Sequence, residues 1–422
     1  MPKLHCGHDA APSSTRLCGH LFGVASVVNI RFLSGMKLEY DLYCRECAAR
    51  AKDGEKTEVF TACQACVDAV YDADDDFEWF GAPEIAEQLV PFDATLFGRQ
   101  IPVENEAVLA VAEDGRVFEF FDGVLSEIGE EKRFLMRLAW PVEPEPDWGK
   151  IRLVRRLIIS KATRFMALIN DFGRYGIIVD LEKRASALHL DRGDYHPEQT
   201  PFPAAFFESE GRTLLVHGTA WNRLDISDPQ TGDLLSVRES TACENKKRPP
   251  HYLDYFHGRL RVSPGGKWIL DDGWEWGPAG IPTWWSLDKW LKENVWESED
   301  GPSRQHHIHW AYRWNVPMTW LDEGRLAVSG IGSDDEAMLA GARIFALDGK
   351  ELFAFAGPSG EFFSDGERLF SVEDDGLQIW DVETGARTGT IAGFCPQFQI
   401  EGALIEITGR MLRRWNYDST KS

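Results

Sequence analysis

The sequence predicts a mainly β protein, and three observations predict it. Short apolar runs rich in β-branched and aromatic residues recur in pairs along most of the chain. Each pair is divided by a turn or loop, often containing Asp-Gly. The second run of each pair stops at an Asp or Asn, giving marks at Asp122, Asp180, Asp228, Asp288, Asp348, Asp381 and Asn416, 33 to 60 residues apart. Runs of this kind closed by Asp-Gly and Thr-Gly read as strand, hairpin, strand. Seven copies of one two-strand unit at this spacing predict a seven-bladed β-propeller over residues 106–422. A β-sandwich also offers short strands and turns, but seven repeats of one unit fit it less well.

The cleanest copy is Leu369-Phe-Ser-Val-Glu-Asp-Asp-Gly-Leu-Gln-Ile-Trp-Asp-Val-Glu-Thr-Gly385, and the first reads Val108-Leu-Ala-Val-Ala, Glu-Asp-Gly-Arg, Val117-Phe-Glu-Phe-Phe-Asp122. With its Ile379-Trp380-Asp381, the repeat resembles the WD-repeat and related propeller families. The wording around Phe256-His-Gly-Arg-Leu and Asp272-Gly-Trp-Glu-Trp is similar to uncharacterised bacterial propeller proteins. Both resemblances imply an architecture and no activity.

An open ring leaves unpaired backbone groups at a strand edge. Residues 417–422 are too few for the outer strand of the last blade, so a strand from 88–103 is expected to complete it. Residues 76–105 therefore read as an acidic linker, with Asp72-Ala-Asp-Asp-Asp-Phe-Glu as a solvated connector, followed by a short helix over 83–89 and the ring-closing segment.

Composition limits the function classes. The chain has 422 residues, 43% of them hydrophobic, and a net charge of −23. Such a charge repels phosphate backbones, so nucleic acid is not expected as the main partner, and a basic protein partner is permitted. No run approaches the ~18–20 apolar residues of a membrane span. No apolar signal core follows Met1, so a cytoplasmic chain is expected.

Six of the eight cysteines lie before residue 67; Cys243 and Cys395 are expected as core or near-core thiols. Residues 1–75 read as a small α+β zinc-binding module with two structural zinc ions. Its four donor pairs are Cys6-Gly-His8, Cys18-Gly-His20, Cys44-Arg-Glu-Cys47 and Cys63-Gln-Ala-Cys66, enough for two tetrahedral sites. Disulfides would need an oxidising compartment. Val28, Ile30 and Phe32 alternate with polar residues, as do Met36, Leu38, Tyr40 and Leu42 across a Ser34-Gly35 turn, predicting a hairpin that places Cys18/His20 beside Cys44/Cys47. Cys6/His8 would then join Cys63/Cys66, with sequential or cross-braced pairing as alternatives. Knuckle, hairpin and helix in this order resemble the treble-clef zinc fold. Cys18-Gly-His20 echoes the Cys-x-His element of the RING family, but Cys44 comes too late in the chain, and ubiquitin-ligase activity is not carried over.

No phosphate-binding Gly-x-x-x-x-Gly-Lys, His-Glu-x-x-His or Gly-x-Ser-x-Gly is present. His307 and His309 would share a strand face, most simply as a polar surface. Seven tryptophans crowd the fourth repeat, with Trp268 and one of Trp284 and Trp285 expected in the core. The long loops 271–281 and 329–341, which join second to third strands, should share one face of the ring. There Trp221, Trp274 and Trp276 would form a partner-binding wall, with an acidic rim of Asp271, Asp272, Asp334, Asp335 and Glu336. The expected function is a non-enzymatic scaffold that recognises a protein partner. The alternative is an enzyme or small-molecule binder using the central pocket.

Overall fold

The computed structural model describes residues 12–18, 21, 28–33, 39–52, 59–71, 77–80, 85–89, 94–143, 154–241, 243, 247–332 and 338–417. Seven small antiparallel sheets follow one another: 108–137, 154–191, 204–227, 256–311, 318–356, 361–392, and 398–416 completed by Leu96–Gln100. We number these blades 1 to 7. Their first strands contact one another in sequence, and that of blade 7 contacts that of blade 1, which closes the ring. Between blades 6 and 7 the link includes Gln399 Nε2 donating to the Ser364 carbonyl at 2.6 Å.

Successive side chains of a strand point to opposite faces, and here both faces are buried. In the second strand of blade 2, Met166 and Leu168 join the core shared with blade 1, while Phe165, Ala167 and Ile169 join the core shared with blade 3. Leu369 and Phe370 likewise divide between blades 5 and 7. This is why the central strands read as continuous apolar runs. It also explains why Trp284 and Trp285 are both core, where one was expected: one packs towards blade 5, the other towards blade 3. Trp268 packs beside Trp284, partly buried.

The Asp marks have a local cause. Asp381 Oδ1 accepts the N–H groups of Glu383 and Thr384, Asp180 Oδ1 those of Glu182 and Lys183, and Asp228 Oδ1 that of Gln230. Each turns the chain out of a third strand. Two marks differ. Asp122 and Gly123, at φ 46° and 72°, form the tight turn between the second and third strands of blade 1, so that mark falls one strand early. Asp288 lies inside the helix Leu287–Lys292, whose N-cap Ser286 accepts from Lys289 N–H.

Blade 7 takes its outer strand from Leu96–Gln100, antiparallel to Met411–Trp415. Just upstream, Gln88 N–H donates to the Arg387 carbonyl and Arg387 N–H to the Ala86 carbonyl, each within 3.0 Å, so this stretch lies along the outer strand of blade 6. Residues 85–89 are therefore extended, and the helix expected over 83–89 is absent from them, because the chain pairs with a neighbouring strand. The N-terminal sheet has the order Val59–Cys63, Pro12–Cys18, Glu39–Cys44, Val28–Leu33, Phe77–Phe80, with helices Arg45–Lys52 and Gln64–Tyr71. It reaches Phe80, past the boundary expected at 75.

Deleting residues 1–80 should leave a closed, monodisperse ring. Deleting 1–105 exposes the edge of Met411–Asn416 and should cause aggregation, read by size-exclusion chromatography.

Candidate functional site

In the N-terminal sheet, Pro12–Cys18 runs parallel to Glu39–Cys44, with Leu17 opposite Leu42, while Val28–Leu33 pairs antiparallel with Glu39–Cys44 as the hairpin pattern requires. The parallel pairing, carried by a polar stretch that does not read as a strand, sets Cys18 beside Cys44. Cys47 follows in the first turn of Arg45–Lys52. The three sulfurs lie within 4.8 Å of one another, and Cys44 N–H donates to Cys18 Sγ at 3.2 Å. Burial pushes the Cys47 thiol up to about 12, and the Cys18 and Cys44 sulfurs add to that. A cluster of this kind reaches the thiolate state by binding a soft cation, and its donor set fits zinc. Cys66 is buried in the same core. Cys6, His8 and His20, and the side chain of Cys63, lie outside the described residues.

On the propeller, hairpins between second and third strands share a face with the connections from each outer strand to the next blade. On that face, seven rings meet across blades 2 to 5. Tyr195, Phe256, Trp274 and Trp314 form a stacked column with centroids 6.0, 4.8 and 4.8 Å apart and interplanar angles of 16°, 11° and 15°. Trp276 sets its ring edge-on to Tyr195, His196, Phe256 and Trp274, and Trp221 lies against Tyr195 and Phe256. Trp276 is 47% and Tyr195 45% exposed, whereas Trp274 is 2% exposed.

This corrects the expected wall in two ways. Residues 271–281 are strand, short turn and strand, since Trp268–Glu275 pairs with Ala279–Ser286, so Trp274 is a core ring and not a surface anchor. Asp271 and Asp272 are buried rather than forming a rim; Asp271 receives Gly258 N–H and contacts His257 Nδ1 at 2.6 Å. Asp334, Asp335 and Glu336 lie outside the described residues. Trp221, half-buried at its hairpin tip, and Trp276 do share one face. Cys243 is exposed and Cys395 half-buried. Residues 306–309 are not in a strand, and buried Ile308 separates the exposed His307 and His309.

Tyr195, His196, Tyr312 and Trp314, which sequence reasoning missed, come from connections between blades. Their connections are fixed from below. The buried Arg192 donates to the carbonyls of Gly173, Pro197, Thr200 and Pro201, and its burial lowers it to about 10. Tyr312 N–H donates to the Pro278 carbonyl at 2.8 Å. A Cβ at Gly280 would lie 1.6 Å from the Arg313 carbonyl oxygen, so glycine permits this approach.

Beside the rings is a cavity of about 720 Å³, with Tyr195, Trp221 and Tyr252 among its walls. Among the described residues blade 3 has three strands, and Arg223 and Asp225 of the third line this cavity. Where a fourth would lie, Leu235 N–H reaches the Ile226 carbonyl, but Ile226 N–H donates to Ser236 Oγ and the Leu224 carbonyl accepts from Arg238 Nη2. Side chains thus stand where a backbone ladder would be, and the following chain is held away from the sheet. Arg238 bridges Asp225 and Glu299. Burial alone would raise the Asp225 carboxyl; hydrogen bonds from Arg223, the Arg238 charge and Thr219 outweigh it and hold the group below its ordinary value.

No protein-family model and no curated protein matches the sequence. Among solved structures, a chain of the mitotic checkpoint complex is similar at 11% identity and a TM-score of 0.47, over 80% of this chain and 96% of that one. U3-55K is similar at 11% and 0.45, over 75% and 98%, and BamB from Moraxella catarrhalis at 10% and 0.43, over 77% and 100%. Similarity at this level says nothing about partner or activity. No helix among the described residues is long and apolar enough to cross a membrane.

Asp272 provides a test of the buried layer. Burial raises its carboxyl to about 7 against the pull of Arg261, with the Asp271 charge adding. The folded chain thus keeps a proton that the unfolded chain, at 3.8, releases. The stability tied to that proton is complete below pH 3.8 and is lost as pH rises through 7. Asp272→Asn should therefore gain stability relative to the native chain between pH 4 and 8, on the order of 2–4 kcal/mol in urea melts.

Proposed function

We propose that this chain is a non-enzymatic scaffold whose propeller recognises a protein partner on the aromatic face. The observation that carries this reading is the ring cluster itself: Tyr195, Trp221 and Trp276 reach the surface from three separate connections, while Phe256 and Trp274 hold them from beneath. Exposed aromatics on a rigid base give large contact area at small conformational cost. The neighbouring cavity can take an apolar side chain of the partner. Trp221→Ala with Trp276→Ala should weaken retention of the partner at least about tenfold with little change in melting temperature. Trp274→Ala should instead cost about 3–5 kcal/mol of stability as a core truncation. Unchanged retention by the Trp221/Trp276 variant overturns the reading.

The N-terminal module has a structural part in this proposal. Cys18, Cys44 and Cys47 would hold a zinc ion with His20 as the fourth ligand, and Cys6, His8, Cys63 and Cys66 a second. A fully ligated zinc ion supplies folding free energy rather than reactivity, about 10–16 kcal/mol in small peptides. Chain purified without chelator should carry two zinc ions by elemental analysis, and zero would exclude the module's metal role. Cys44→Ser should unfold the module and leave the propeller's main melting transition in place.

A further inference from the structure

Resting on the reading of the aromatic face as a protein-docking surface, we infer that its ligand is a proline-rich segment in the polyproline II conformation, with basic residues at its ends. Tyr195 meets Trp221 at 49° and Trp276 at 78°, and Tyr195 and Trp221 also wall the adjoining cavity, so the rings stand as ridges along a cleft. Proline rings fill such clefts, and a polyproline II chain enters them already extended, so little chain entropy is lost. Its carbonyls have no internal hydrogen bonds and point outward. Indole N–H and phenol O–H groups, each on an apolar body, match that alternation of ring and carbonyl.

Other occupants fit less well. Adding a strand requires a free sheet edge, and at blade 3, whose third strand borders the cavity, Ser236 and Arg238 already take up backbone groups of that edge. Stacked nucleobases would bring phosphates towards a chain of net charge −23. The carboxylates beside the rings favour cations: Asp191 and the 87% exposed Asp194 share a single cation, Arg174, next to Tyr195, so this group keeps a net negative charge, and Glu275 precedes Trp276. Basic ends on the ligand therefore complement the rim.

The test uses the full chain and three synthetic twelve-residue peptides, followed by calorimetry. The first has a Pro-x-x-Pro core with two arginines at each end, the second alanine for every proline, and the third glutamate for every arginine. The first should bind saturably. The second should bind at least about tenfold more weakly, and the third more weakly by a margin that shrinks with added salt. Trp276→Ala should weaken the first at least about tenfold. Equal binding of the first two peptides, no binding of the first, or binding of the first unaffected by Trp276→Ala overturns the inference. If the inference fails while Trp221→Ala with Trp276→Ala still lowers partner retention, the docking surface stands with a different ligand. If retention does not change, the docking reading itself fails.

Discussion

The constraint on which this structure depends is that each blade buries both of its faces against two neighbours. Val117 and Ile128 of blade 1 meet Ile405 and Leu412 of blade 7 in a core of the same kind as those between blades adjacent in sequence. No blade can satisfy its apolar surface alone, and the ring is stable only when complete. A repeat of this kind gains a core only by stacking on its neighbours, so cooperativity passes around the circle. The fixed outward positions of the connections follow from this. A rigid ring is what lets rings from separate connections meet in one column.

Blade 3 shows what happens where the pattern is relaxed. Its third strand keeps its backbone groups satisfied through Ser236 and Arg238 rather than through a fourth strand. Arg238 is in turn held by Asp225 and Glu299 and lies over Trp296, its guanidinium 5.3 Å from the ring centroid. An ion-pair network inside a blade is costly to desolvate and costly to break. Here it props open the cavity beside Trp221, so the departure from regular structure and the candidate site are one feature.

Much of the architecture was legible in the sequence because local and global signals agree. Leu369–Gly385 has strand composition, turn residues and an aspartate that caps its own turn, all within seventeen residues of chain. Cys44 and Cys47 were legible from their local spacing and the hairpin pointed to Cys18 as their neighbour, but the contact itself is made by a parallel strand pairing that the polar stretch Pro12–Cys18 does not announce. The failures come from residues whose reason lies elsewhere in the fold. Gly273 reads as a turn residue, yet it sits within a strand, and a Cβ there would come 2.3 Å from the Phe256 carbonyl oxygen and from the Tyr255 ring. Taking it as a loop residue placed Trp274 at the surface. Tyr195 and Trp314 carried no periodic signal, since the column that unites them is built only when blades 2 to 5 are side by side.

The shared last blade has a consequence for synthesis. Leu96–Gln100 leaves the ribosome long before Met411–Trp415, the strand it pairs with. At about 5–20 residues per second, the intervening chain takes roughly 15–60 s to make. Throughout that time the early strand has no ladder, with Phe97 apolar and Arg99 charged along it. In the finished ring Phe97 is still 58% exposed. Closure of the ring therefore waits for the last blade to be made, whatever the earlier blades have already formed.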